Sequence, residues 1–279
     1  MPVVILTGAT RGIGRAAAVE LVRRGAELAV VGRDEARVRE TAAEARAAGA
    51  SGSTVHEHVA DLERMSEVRK LAAELLDDYP RIDVLANNAG AMFTSRHVTQ
   101  DGFERTFALN HLAPFLLTNL LLSRLTAVGG RVVTTASDAH KGGSLDLSDL
   151  QSERDRFRPG RVYGTSKLCN VLFTRELQRR NPGIAANCFH PGVIRTGFGK
   201  NDGTVARISL TLAAPFLRSA ASGARSLVWL TLDPGAGELR GQYVEKEKVV
   251  QPSAQAQDDR LAAELWERSE ELTGLTQKA

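Results

Sequence analysis

The chain has 279 residues, 43% of them hydrophobic and 25% charged, with a formal net charge of +3. That length and apolar content suffice for one large core, and open α/β folds of this size commonly run as a single domain. Charge is spread along the chain, which argues against a nucleic-acid partner, and two cysteines, Cys169 and Cys188, fit buried thiols in a reducing compartment better than a bridge.

Pro2 to Thr7 is a short apolar run, too brief for a helix, and reads as a buried strand. It lacks the basic start of a signal peptide, so the expectation is a soluble, cytoplasmic protein. The run opens into Gly8-Ala9-Thr10-Arg11-Gly12-Ile13-Gly14, and an amphipathic helix from Arg15 to Arg24 follows, ending at Gly25. Glycines permit a tight turn and a close backbone approach, while the free N–H groups and dipole at a helix start suit a pyrophosphate. Gly8, Thr10, Arg11, Gly12, Ile13 and Gly14 are therefore candidate dinucleotide contacts. The second strand, Glu27 to Val31, ends in Gly32-Arg33, where an NAD site would offer Asp or Glu to the ribose hydroxyls. Arg33 and Arg11 would instead pair with a 2′-phosphate, so NADP(H) is expected over NAD.

A third strand over 53 to 59 carries His56 and His58 on alternating positions; no Cys or carboxylate cluster completes a site, so they are read as solvated strand histidines and no metal is expected. Asp61-Leu62 follows as a turn. After a fourth strand over 82 to 86, the polar amides and small residues of Asn87 to Gly90, including Ala89, suit a backbone packed against the adenine ribose, or only a strand-terminating turn. Leu112 to Leu122 is the most apolar stretch, too short to span a bilayer, and reads as a core helix. The fifth strand delivers Ser137 to its end, and His140-Lys141-Gly142-Gly143 reads as a mobile loop near the substrate.

The run Tyr163-Gly164-Thr165-Ser166-Lys167 stacks a phenol and an ammonium one turn apart on a helix face. Free Tyr titrates near pH ~10, so proton exchange at neutral pH calls for roughly 3 units of depression, about 4 kcal/mol, part of which a neighbouring lysine can supply. Strands near 184 to 190 and 240 to 244 complete a set of seven, and Ala262 to Leu272 reads as a packed amphipathic terminal helix. Strand and helix alternate throughout. The expected fold is a single doubly wound Rossmann-type α/β domain over 1–279, with a mostly parallel seven-stranded sheet, helices on both faces and ligand sites at the carboxyl ends of the strands.

Thr7-Gly8 through Gly14, Asn87-Asn88-Ala89-Gly90, Asn110, Ser137, Tyr163, Lys167 and Pro191-Gly192 together resemble the short-chain dehydrogenase/reductase family over residues 2 to about 200. Phe115 to Asn119, Arg161 to Leu168 and Leu265-Trp266-Glu267 resemble its retinol-dehydrogenase-like branch. The resemblance implies an adenine contact at Asp61 and Leu62, backbone at Pro191 and Gly192 around the nicotinamide, and Val193 and Thr196 against its carboxamide or the phosphates. It also implies that Ser137 orients the substrate oxygen, that Tyr163 transfers the proton, and that Lys167 holds the nicotinamide ribose. Asn110 is placed by the same resemblance where a helix bends to admit a water chain. A physical reason accompanies this, since Pro114, four residues on, has no N–H for the Asn110 carbonyl; the alternative is that Pro114 only kinks a core helix.

Residues 193–222, within which Thr204 to Leu217 is apolar, lie where the family places its substrate cover, and 254–274 is the terminal helix. That apolarity suits a lipophilic substrate, a homo-oligomer contact or a membrane-surface contact alike. The expected function is NADP(H)-dependent hydride transfer at a carbonyl or alcohol carbon of a bulky apolar small molecule. A non-catalytic NADP(H)-binding sensor or scaffold, and an epimerase or dehydratase, are the alternatives on the same fold.

Overall fold

A computed structural model describes residues 1–154, 156–192 and 219–275. Val193, Thr196 and the segment 204–217 lie outside the described residues, as does most of the expected substrate cover. Six runs rich in Val, Leu, Ala and Thr form the parallel body of a sheet: β1 Val3–Thr7, β2 Glu27–Gly32, β3 Val55–Val59, β4 Val84–Asn87, β5 Arg131–Thr135 and β6 Ala185–His190. Tyr243–Glu245 (β7) adds in parallel, and the two-residue Lys248–Val249 (β8) pairs antiparallel with β7. The order is β3-β2-β1-β4-β5-β6-β7-β8. Eight strands therefore stand where the sequence predicts seven; β8 is too short and too polar to show an alternating pattern. β1 is buried at every position, as a strand covered on both faces must be.

The helices are α1 Gly12–Arg23, α2 Glu35–Ala48, α3 Met65–Asp78, α4 Ala113–Ala127, α5 Pro159–Arg180, α6 Ala220–Leu232 and α7 Asp259–Thr273. Local chemistry sets several of their ends. The Asp34 carboxylate accepts the N–H of Arg37 at the start of α2, Pro159 occupies the first turn of α5, and Gly274 in the left-handed region closes α7. Two cores result, one on each sheet face. Ala17, Leu21, Val38, Ala42, Leu227 and Val228 pack α1, α2 and α6 on one side, while α3, α4, α5 and α7 bury Leu71, Phe115, Leu172 and Leu265 on the other.

The run Arg105–Ala127 is long and apolar enough to cross a membrane by composition, but 72% of its most apolar window is buried against the rest of the fold, as for a core helix. Its middle turn, Ala108–Leu112, is π-helical, with the N–H of Ala113 reaching the carbonyl of Ala108. Pro114 sits in the first turn of α4 beyond it and supplies no N–H to Asn110. The order of β1 and β4 about the point where the chain reverses opens a crevice at the carboxyl ends of the strands, and the predicted site residues that are described gather at this rim.

Candidate active site

The glycine loop is held by close packing. Gly8 and Gly12 adopt φ of +64° and +51°, and a Cβ on Gly14 would lie 2.1 Å from the Gly8 carbonyl oxygen. Thr7 and Asn88 fasten the loop from below: the Thr7 hydroxyl accepts the N–H groups of Asn88 and Ala89 at 3.0 and 3.1 Å, and Asn88 Nδ2 donates to the carbonyls of Thr7 and Gly8 at 3.1 Å each. The start of α1, with Ile13 partly exposed, thus faces the crevice with its N–H groups. Thr10 reaches the end of β2, where a Cβ on Gly32 would meet its methyl group at 2.5 Å. Arg11 and Arg33 are exposed at this same end. Arg33 donates to Glu63 at 3.1 Å, and Arg105 grips the other face of that carboxylate at 2.6 Å while lying 4.0 Å over the Phe93 ring.

Asp61 follows β3 and uses its carboxylate to accept the Glu63 N–H at 3.2 Å, with Leu62 buried beside it. Asn87 ends β4 with its side chain turned inward, donating to the Thr118 hydroxyl at 2.9 Å. Pro191 and Gly192 follow β6, Gly192 at φ of +88°. Two histidine readings are corrected. His58 is buried rather than solvated, because Tyr79 at the end of α3 covers it, its hydroxyl 3.4 Å from Nε2; His56 alone is exposed. His140 likewise belongs to no mobile loop: it sits fully buried in a 3₁₀ turn, Asp138–Gly142, fixed at both ring nitrogens. Among the described residues no cluster of three or more His, Cys, Asp or Glu could hold a metal.

The candidate acid-base residues meet where β5 ends against α5. Ser137 lies beside Tyr163, near enough to favour the phenolate. Lys167 is 3% exposed, donates to the Thr135 carbonyl at 2.9 Å and has its ammonium 5.6 Å from the centre of the Tyr163 ring. Asn110, 0% exposed, is tied by its side chain to both backbone groups of Ala91 at 2.9 Å and to the Ser166 hydroxyl at 2.9 Å, which in turn donates to the Tyr163 carbonyl at 2.7 Å. The π-helical turn is therefore stitched to α5 and to the loop after β4. Gly90 leaves the space between them open, since a Cβ there would crowd Asn110 Oδ1 at 3.0 Å and Lys167 Nζ at 3.2 Å.

Burial sets the protonation states. It pushes the Tyr163 hydroxyl up to about 12, opposed in part by Ser137, and pulls the Lys167 ammonium down to about 8. The sequence predicts that Lys167 depresses the phenol; in the protein alone burial raises it instead, and the ammonium is turned onto the Thr135 carbonyl. Cys169 and Cys188 are buried free thiols, and burial raises both further from the reactive thiolate.

Partners outside the predicted set complete the site. Asn170 also donates to the Thr135 carbonyl, at 3.2 Å, and Thr7, Asn88 and Ser166 hold the glycine loop and the catalytic turn. Thr7 and Asn88 stand within the motifs that carry the resemblance and Ser166 lies between Tyr163 and Lys167 on one helix, whereas Asn170 lies outside them all.

The family model for short chain dehydrogenases matches residues 2–205. A Streptomyces sp. (strain C5) protein named as a proposed daunorubicin C-13 ketoreductase is 46% identical over 274 residues, covering 98% of this chain and 93% of its own length. Retinol dehydrogenase 13 of Homo sapiens is 37% identical over 284 residues, 98% of this chain and 84% of its own. A crystal structure of an uncharacterized protein from Mycobacterium paratuberculosis superposes with a TM-score of 0.79 at 35% identity, covering 98% of this chain and 94% of that one. The chain belongs to the short-chain dehydrogenase family, in its retinol-dehydrogenase-like branch, and with it to the oxidoreductases that use a nicotinamide cofactor.

Proposed function

We propose that the protein is a cytoplasmic NADP(H)-dependent carbonyl reductase or alcohol dehydrogenase acting on a bulky apolar small molecule. The observation that carries this reading is the gathering of Ser137, Tyr163 and the buried Lys167 at the rim of β5, with the Lys167 ammonium 5.6 Å from the centre of the Tyr163 ring. The cleft suits a dinucleotide: Gly8 and Gly14 leave no room for a side chain, Gly90 opens a cradle against Asn110 and Lys167, and the exposed Arg11 and Arg33 near the end of β2 support a 2′-phosphate there. Relatives named for daunorubicin and for retinol support a large, mainly apolar carbonyl or alcohol.

When bound, NADPH supplies the hydride to the carbonyl carbon. The chain does the rest. N–H groups at the start of α1 would hold the pyrophosphate, and Lys167 would hold the nicotinamide ribose. Ser137 orients the substrate oxygen toward the phenol, and Tyr163 gives its proton to that oxygen as the carbonyl becomes an alcohol. A phenol held near 12 is fully protonated at neutral pH, which equips the site for reduction. The tyrosinate is then reprotonated through Lys167 and a water at the Asn110 carbonyl, to which Pro114, four residues on, offers no N–H.

Following NADPH absorbance across a panel of aldehydes and ketones tests the reading. Tyr163→Phe is expected to lower turnover by about 10²-fold or more while NADPH binding stays within about twofold. A wild type that binds NADPH yet reduces no carbonyl, or a Tyr163→Phe variant of normal rate, would overturn it, the first result in favour of a non-catalytic binder.

A further inference from the structure

His140 lies three residues beyond Ser137 and is fully buried. Its Nδ1 is 2.7 Å from the Ser137 carbonyl oxygen, and its Nε2 is 3.0 Å from the backbone nitrogen of Ser253. A carbonyl only accepts and a peptide N–H only donates, so the ring is neutral, with the proton on Nδ1 and the lone pair on Nε2. The ring also stands edge-on to Tyr243, 4.9 Å between centres. A second imidazole acts on the same stretch: His190 Nδ1 accepts the N–H of Asp138 at 3.1 Å. The proposed hydride transfer uses neither ring.

We infer that His140 is a positioning residue for Ser137: its neutral ring clamps the Ser137 carbonyl to the backbone of Ser253 and so fixes the direction from which the Ser137 hydroxyl meets the substrate oxygen. This rests on the reading of Ser137 given above. Protonation would set an Nε2–H against the Ser253 N–H, two donors with no acceptor between them, and release the clamp. The groups facing the ring decide where that happens. Asp138 on its own turn favours the charged ring and Lys141 opposes it; Tyr243 on β7 contributes an uncharged face, and His190 holds the neighbouring peptide. Burial dominates and lowers the ring's pKa below the ordinary histidine value, so the release belongs to the acid side of pH 6.5.

The test is kcat and KM against pH for the wild type, His140→Leu, His140→Asn and Ser137→Ala, with NADPH affinity and melting temperature measured alongside. Asparagine keeps an N–H donor for the Ser137 carbonyl but is too short to reach Ser253. His140→Leu is expected to lose about tenfold in kcat or more with NADPH affinity within about twofold, since small misplacements of a reacting group cost that much. His140→Asn is expected to recover most of the loss at a similar melting temperature, and to lose the acid limb seen in the wild type. An unchanged kcat in His140→Leu, equal losses in both variants that follow melting temperature, or an acid limb that persists in His140→Asn would overturn the inference. Should His140→Leu fail to fold, His140→Asn and the wild-type pH profile still decide. A fully active Ser137→Ala would sink the reading of the site itself, whereas an inactive Ser137→Ala beside a normal His140→Leu would sink only the role of His140.

Discussion

The two ends of the cofactor crevice are built by opposite means. At the β5 rim Lys167 and Asn110 are sealed from water, and each polar head finds a fixed oxygen or nitrogen at 2.9 Å. At the β2 rim Arg33 is 61% exposed and its partner Glu63 is shared with Arg105. Groups that perform chemistry must be aimed before the substrate arrives, and burial gives that aim at the cost of raising charged states. Groups that recognise a phosphate can swing from one anion to another in water, where little is lost by leaving the first. The difference predicts where substitutions will be absolute and where they will be graded.

The largest effect should come from the buried end. Lys167→Met is expected to cut turnover by about 10²-fold or more, yet to stabilise the fold at pH 7, because a buried ammonium drawn from 10.5 to about 8 costs roughly 3 kcal/mol there. The sign follows from proton counts. Between pH 8 and 10 the unfolded lysine holds a proton that the folded one has lost, so the Lys167 contribution to stability rises with pH over that window, while above 9 the raised Cys169 and Cys188, and above 10 the raised Tyr163, act the other way in both proteins. Urea melts of both proteins from pH 7 to 10 would break the account if their difference stayed flat.

Gly14→Ala comes next. The new methyl would meet the Gly8 carbonyl at 2.1 Å and Asn88 Nδ2 at 2.7 Å, both part of the loop's own scaffold. A loss of about 1–3 kcal/mol in stability, together with weaker cofactor binding, is expected from calorimetric titration and melting; wild-type values for both would show that the loop yields easily.

At the exposed end, Arg33→Asp should lower the preference for NADP over NAD by about tenfold, 1.4 kcal/mol, without changing kcat at saturation. An unchanged preference would place the phosphate elsewhere. The smallest effect is reserved for Glu63→Gln, which frees Arg33 and should tighten NADPH by a few-fold, about 0.5 kcal/mol. Weaker binding in that variant would mean that Glu63 orients Arg33 instead of competing for it.

What was legible in the sequence divides along similar lines. The runs at Val3–Thr7, Glu27–Gly32 and Ala185–His190 carry their strand character in consecutive side chains, and the glycine loop announces itself by spacing. Tyr163 and Lys167 are close because one helix turn separates them. Asn88 and Thr7, by contrast, are 81 residues apart, and Ser166 and Asn110 are 56 apart; no local pattern records a hydrogen bond made only when distant elements close on each other. His58 and His140 misled for the same reason: a strand position and a glycine-flanked turn read as solvated until Tyr79 and the Ser253 backbone cover them. Burial of the phenol, a property of the whole fold, likewise leaves no mark in the local spacing of Tyr163 and Lys167.

The short β8 has a consequence for how the molecule behaves in company. A parallel sheet ends in a row of unpaired peptide groups, which any other unpaired strand can extend into an aggregate. Here the chain turns back through Lys246 and Glu247, both at positive φ, and lays Lys248 and Val249 along β7, ending the ladder in a charged stub only two residues long. Glu247 fastens that hairpin to α6 by accepting from the Ser226 hydroxyl at 2.9 Å. On the opposite border Arg46 donates to the Val55 carbonyl of β3 at 2.6 Å and pairs with Glu57 beside it. Both borders are thus guarded by short, charged, backbone-directed contacts, so cutting back the hairpin should first show itself as self-association on concentration, well away from the cofactor crevice.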